Sequence, residues 1–154
     1  IKFIKKIYFS TSYYNKSLAS KTPQQFYFHP NPFLLSSITN YKKYSFKIGE
    51  FDPNVFWLNK KNAWEEKELH SFLWLNLIDR KNDGKSLQKI IDVWMLKHSK
   101  YKRNVWESSV LSKRIISWIL NVDIILNNGS FYFKRTFLNS IIAQTNHLKK
   151  NIKF

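Results

Sequence analysis

A chain of 154 residues is long enough for one domain with a real core and too short for two comfortable ones. It has no cysteine, which excludes disulfides and thiolate metal sites, and no apolar run approaches the roughly 18–20 residues of a membrane span. The net charge of +16 invites a polyanion as partner, yet 22 of the 26 basic residues are lysine, so bidentate phosphate clamps are few and a dedicated nucleic-acid binder is disfavoured.

Lysine, asparagine and isoleucine share A/T-rich codons and are all abundant here. Solvated surface lysines are therefore the first reading of the charge, and a functional basic face the second. The chain does not begin with Met and stops at Phe154 without a turn or cap, so it reads as a piece of a longer protein. Residues 1–9 carry lysines, but no small-residue cleavage site follows a long apolar core, which argues against a signal peptide. A signal ahead of residue 1 would direct the protein to the periplasm or out of the cell.

In chain order, residues 2–18 read as an irregular, aromatic-rich helix broken by Thr22-Pro23. Residues 23–35 hold three of the four prolines and predict an extended connector lying over a surface. Tyr44, Phe46 and Ile48 alternate with polar neighbours, the pattern of a short strand or arm, and Phe51-Asp52-Pro53 reads as a turn. A second helix is expected over 64–80, with Leu69, Phe72, Leu73 and Leu77 on one face and Trp74 and Ile78 elsewhere. After the turn Asn82-Asp83-Gly84 comes a third helix, about 86–98, capped by Asp83 or Ser86 and burying Leu87, Ile90, Ile91, Trp94 and His98.

The stretch 104–126, after a short basic loop, is the expected centre of the fold. Leu111, Ile115, Trp118, Val122 and Ile125 recur at steps of four and three, one helical face. Ile116, Leu120 and Ile124 form a second apolar row on the far side, with the polar stripe Arg114, Ser117 and Asn121 between. A helix apolar on two sides is covered on two sides. Asn127-Asn128-Gly129 stops it. The last helix, about 131–150, turns Phe133, Phe137, Leu138, Ile141, Ile142 and Leu148 one way and Arg135, Asn139, Asn146 and Lys150 the other. Short loops make neighbouring helices antiparallel. The expected fold is all-α, antiparallel helical hairpins with inner and outer helices alternating as in part of an incomplete α/α toroid; a plain helical bundle fits the periodicity almost as well. The expected division is 1–49, helix and extended Pro-rich connector, and 50–154, the partial toroid.

No phosphate loop, H-E-x-x-H, paired-Cys or EF-hand spacing occurs, so neither metal nor cofactor is expected. His98 continues an apolar face and reads as a packing residue; His147, beside Lys149 and Lys150, reads as solvated. His70 lies near Glu66, Glu68 and Trp74. Indole rings stack on sugar faces but also fill cores. Trp106, at the start of the central helix, and Trp74, off the main face of its own, are the better cleft candidates among the six tryptophans. Arg114 beside an apolar seam needs an acidic partner: either a structural one, Asp92 or Glu107, or a carboxylate or sulfate of a substrate.

Several pieces resemble, in order, the N-terminal helical domain of heparinase II/III-like polysaccharide lyases. His70-Ser71-Phe72-Leu73-Trp74-Leu75 is similar to that family's "hxFxWL" piece. Ile90-Ile91-Asp92-Val93-Trp94-Met95 is similar to its "li-x-x-W-i" helix. Trp106, followed by Ser112-Lys113-Arg114-Ile115-Ile116-Ser117-Trp118-Ile119, resembles its "W…S-x-R-I-x-x-W-I" segment, and residues 144–150 look like the helix that ends the block. The likeness covers about 50–154 and is clearest over 64–150.

The resemblance implies a two-domain enzyme, a helical toroid packed on β-sheet layers, that cleaves uronate-containing polysaccharides by β-elimination. A base takes the proton next to the uronate carboxylate and an acid protonates the leaving oxygen. In the family the residues that do this follow the block seen here. No catalytic residue is assigned, therefore, and this segment alone is expected to be inactive. The substrate-binding candidates are His70, Trp74, Trp106 and Arg114, and the implied partner is an acidic polysaccharide, with no nucleic acid expected. The competing reading is a basic helical module for RNA or another polyanion; a third is a helical scaffold without activity.

Overall fold

The computed structural model describes residues 2–24, 28–31, 34, 48, 52–58, 63–78, 83–127 and 129–152. Among them there are helices and no strand. The expected strand at 43–48 lies outside the described residues except for Ile48, and so does much of the expected connector at 23–35.

The first expected helix is two, α1 (Lys2–Ser10) and α2 (Ser12–Ser17). The break is at Thr11, whose hydroxyl accepts from the Tyr14 amide at 3.1 Å and caps α2. A Thr oxygen satisfies a free helix-start amide better outside a helix than inside one. Phe51-Asp52-Pro53 also needs correcting: Asp52-Pro53 starts a helix rather than making a turn. In α3 (Pro53–Phe56) Asp52 Oδ1 accepts from the amides of Asn54 and Val55, at 2.7 and 3.1 Å. Pro53 occupies the first helical position, where its missing N–H matters least.

The largest departure is in the second expected helix. It runs as α4 (Ala63–Ser71) and ends there; Phe72 turns left-handed at φ 60°, and a 3-10 segment (Leu73–Leu77) follows. Phe72 and Leu75 are buried while Leu73 is exposed, so the expected face 69–72–73–77 does not exist as such. Local periodicity predicts a continuous helix; contacts with the later helix Ser108–Leu120 override it. In α5 (Gly84–His98) Leu87, Ile90, Ile91, Trp94 and His98 are all buried, as their spacing requires. Asp83 holds the N-cap position without a side-chain capping bond.

The central stretch divides into α6 (Ser108–Leu120) and α7 (Val122–Leu126), broken at Asn121. Trp106 therefore lies in the loop before α6 and does not begin the helix. Leu111, Ile115, Trp118, Val122 and Ile125 are buried. The second apolar row fails: Ile116 is 55% exposed and only Ile124 of that row is buried. The buried second side is instead the polar stripe Arg114, Ser117 and Asn121. Helix α6 is covered on two sides, by α4 and the 3-10 segment on one and by α8 (Phe131–Asn151) on the other, but one cover is polar. The Ser130 hydroxyl caps α8 by accepting from the Phe133 amide at 3.1 Å. Gly129 is not left-handed; it is small because a Cβ there would stand 3.0 Å from the Phe133 ring and 3.3 Å from the Leu126 carbonyl.

Helix α5 packs on α3, α7 and α8. At the centre the Trp118 ring meets Phe72 and Trp94 edge-on, at 5.2 Å and 81–82°. Such pairs contribute about 0.5–1.5 kcal/mol each beyond the area they bury.

Candidate functional site

The polar stripe of α6 exists to receive the irregular segment after α4. Where Phe72 turns left-handed, helical hydrogen bonding stops and carbonyls are left over. Ser117 Oγ donates to the Phe72 carbonyl at 2.6 Å, and Asn121 Nδ2 donates to Asn76 Oδ1 at 3.0 Å. Arg114 Nη1 donates to the carbonyls of His70 and Val105, both at 2.9 Å, and its Nε donates to Gln144 Oε1 at 2.6 Å. One side chain thus joins the end of α4, the loop before α6, and α8.

The guanidinium is wholly buried and lies 4.5 Å over the Trp94 ring. No carboxylate meets it among the described residues. Glu107, an expected partner, pairs instead with Lys67 at 2.7 Å, which holds its carboxyl below the usual range. Desolvation pulls the Arg114 pKa down to about 9. That is still above neutrality, so the group stays charged, stabilised by carbonyl dipoles and an indole face. Its Nη2 has no hydrogen-bond acceptor among the described residues.

Around Arg114 the other sequence candidates assemble. His70 is buried, accepts from Trp94 Nε1 at Nδ1 (3.0 Å), stacks on Trp57 at 5.6 Å and meets the His98 ring edge-on at 4.7 Å. Trp106 is buried and donates to the His98 carbonyl at 3.1 Å. Trp74 is half-buried, donates to the Leu69 carbonyl at 3.0 Å and packs on Phe56 and Phe72. His70, Trp106 and Arg114 form one interior cluster, and Trp74 stands at its edge. Among the described residues no group of three His, Asp or Glu is spaced to hold a metal ion.

No protein-family model matches this chain, and neither does any curated protein or any solved structure.

Two members of the cluster were not anticipated. Gln144 and His147 are buried on the same side of α8 as Phe133, Phe137 and Ile141. The reading of His147 as solvated is corrected: its ring packs edge-on to Trp106 at 5.3 Å and Phe9 at 5.2 Å. The signal was present, since 137, 141, 144 and 148 continue one helical row. A polar residue in such a row marks a buried hydrogen bond.

Proposed function

We propose that this chain is the helical portion of a lyase that cleaves uronate-containing polysaccharides by β-elimination, built as part of an α/α toroid. One observation supports this above the rest. The separate pieces that carry the resemblance converge on a single point: His70 from the first, Trp94 from the second, Trp106, Arg114 and Trp118 from the third, and Gln144 with His147 from the last. In the resemblance these residues belong to one helical block, and in this chain they meet in one core.

On this reading His70, Trp106 and Arg114 are positioning residues. They hold the wall of a substrate cleft from behind, while Trp74, half-buried at the edge of the cluster, is the candidate to meet sugar. The residues that abstract and donate protons lie outside this segment. The test is to incubate the full-length protein containing this chain with a panel of uronate polymers and to follow the ultraviolet absorbance of the conjugated double bond that elimination creates. Absorbance that rises with time supports the reading; none with any polymer refutes it.

A further inference from the structure

Helix α8 carries a polar stripe of Arg135, Asn139, Asn146 and Lys150 along its outer side. Residues 17–22 run back along that stripe. Lys150 Nζ donates to the Ser17 carbonyl at 3.0 Å and Asn146 Nδ2 to the Leu18 carbonyl at 2.8 Å, while Thr22 hydrogen-bonds Asn139. These contacts end at Asn139. One turn further on, a groove of about 690 Å³ opens between residues 20–24 and the start of α8. Its walls carry Lys21, Lys134 and Arg135, the hydroxyl of Thr22, the amide of Gln24 and the ring of Phe131, which is 76% exposed. Among the described residues none of the three cations forms an ion pair and no acidic residue lines the groove.

We propose that this groove binds an acidic oligosaccharide, its carboxylate or sulfate groups taken by Lys21, Lys134 and Arg135. The volume is that of a small-ligand site. Three cations with no counter-ion among the described residues create a local positive potential that an anion relieves. The neutral donors and acceptors, Thr22 and Gln24, suit sugar hydroxyls, and the exposed Phe131 face suits the apolar C–H face of a sugar ring. Two lysines to one arginine favour monodentate anions strung along a chain over a phosphate clamp. The inference deepens the lyase reading by naming a place, remote from the Arg114 cluster, where the polymer is gripped.

The test is calorimetric titration of the full-length protein with a hexamer of galacturonate, with a neutral hexamer of equal length, and with an RNA hexamer. Lys134→Gln with Arg135→Gln should weaken uronate binding by about tenfold or more, and Phe131→Ala should weaken it several-fold. Lys97→Gln, on exposed helix surface outside the groove, should leave it unchanged. Uronate binding that is equal in the wild type and the double variant overturns the proposal, as does equal binding of the neutral hexamer or tighter binding of RNA. Failure of the lyase reading is separable. Wild type that grips uronate through these residues yet never yields unsaturated product sinks the lyase alone; product formation with unchanged binding by the double variant sinks the groove alone.

Discussion

Tyr14 and His147, 133 residues apart in sequence, share a buried hydrogen bond of 2.7 Å that ties α2 to α8. The tyrosine hydroxyl also accepts from Asn151 Nδ2 at 3.2 Å, and the His147 tautomer sets the direction of its bond to Nδ1. The Trp106 backbone beside the ring favours its protonated form. At neutral pH the His147 ring is uncharged. Burial, the largest cause, holds its pKa down at about 4, against 6.5 when free; Arg114 and Lys150 push the same way, and only the Trp106 contact opposes them.

The folded state therefore excludes a proton that the unfolded chain takes up. This term is fully favourable above pH 6.5 and is lost as pH falls from 6.5 toward 4, at no more than about 1.4 kcal/mol per pH unit. Urea unfolding across that window should show stability falling more steeply in the wild type than in His147→Phe, which has no ring to titrate. Parallel curves would show that His147 does not carry the effect.

Arg114 makes a prediction about a buried cation with no anion. Arg114→Met removes the charge and its desolvation penalty but also the hydrogen bonds Arg114 donates to the carbonyls of His70 and Val105 and to the oxygen of Gln144. Each unsatisfied buried acceptor costs about 1–3 kcal/mol, so Met should destabilise by about 2–4 kcal/mol after that offset. Arg114→Lys should be nearly as harmful, since one ammonium on a flexible stem cannot reproduce the planar fork. The denaturation midpoint measures both; a Lys variant as stable as the wild type would refute the role given to the fork.

Phe72 sets two effects against each other. Its φ of 60° is strained for a residue with a Cβ, at about 1–2 kcal/mol, and glycine would relieve that. Its ring, however, is fully buried against Trp57, Trp74, Trp94 and Trp118, and removing such a ring costs about 3–5 kcal/mol. Burial wins, so Phe72→Gly should lower the unfolding midpoint markedly. A variant as stable as the wild type would mean the ring is not packed as described.

These contrasts show what could be read from residues alone. Rows of apolar side chains at helical spacing placed α5, α6 and α8 and most of the core, because burial depends on which side of a helix a residue stands. The end of α4 was not legible. Leu73-Trp74-Leu75 suits a helix by every local measure, and only donors from α6, more than forty residues later, make a left-handed turn worthwhile at Phe72. The same blindness hid the polar cluster. His147 reads as solvated because polarity usually means water, and Arg114 is expected to need an acidic partner, yet here the buried polar side chains of α6 serve backbone carbonyls on neighbouring segments.

The outer stripe of α8 yields a last prediction. Asn146 lies on the side of that helix expected to be solvated, yet its amide reaches the Leu18 carbonyl at 2.8 Å and Ser20 Oγ at 3.3 Å, so residues 17–22 shield that side. Few apolar side chains hold this arm: Leu18 is buried, but Ser17 and residues 19–21 are exposed. Segments held mainly by exposed polar contacts open locally before the molecule unfolds. Asn146→Ala should therefore cost only about 1 kcal/mol of local stability. Global unfolding should hardly change, whereas amide hydrogen exchange at residues 17–22 should speed up severalfold and that in α5 should not. Equal acceleration in both would show that the arm and the core open as one unit.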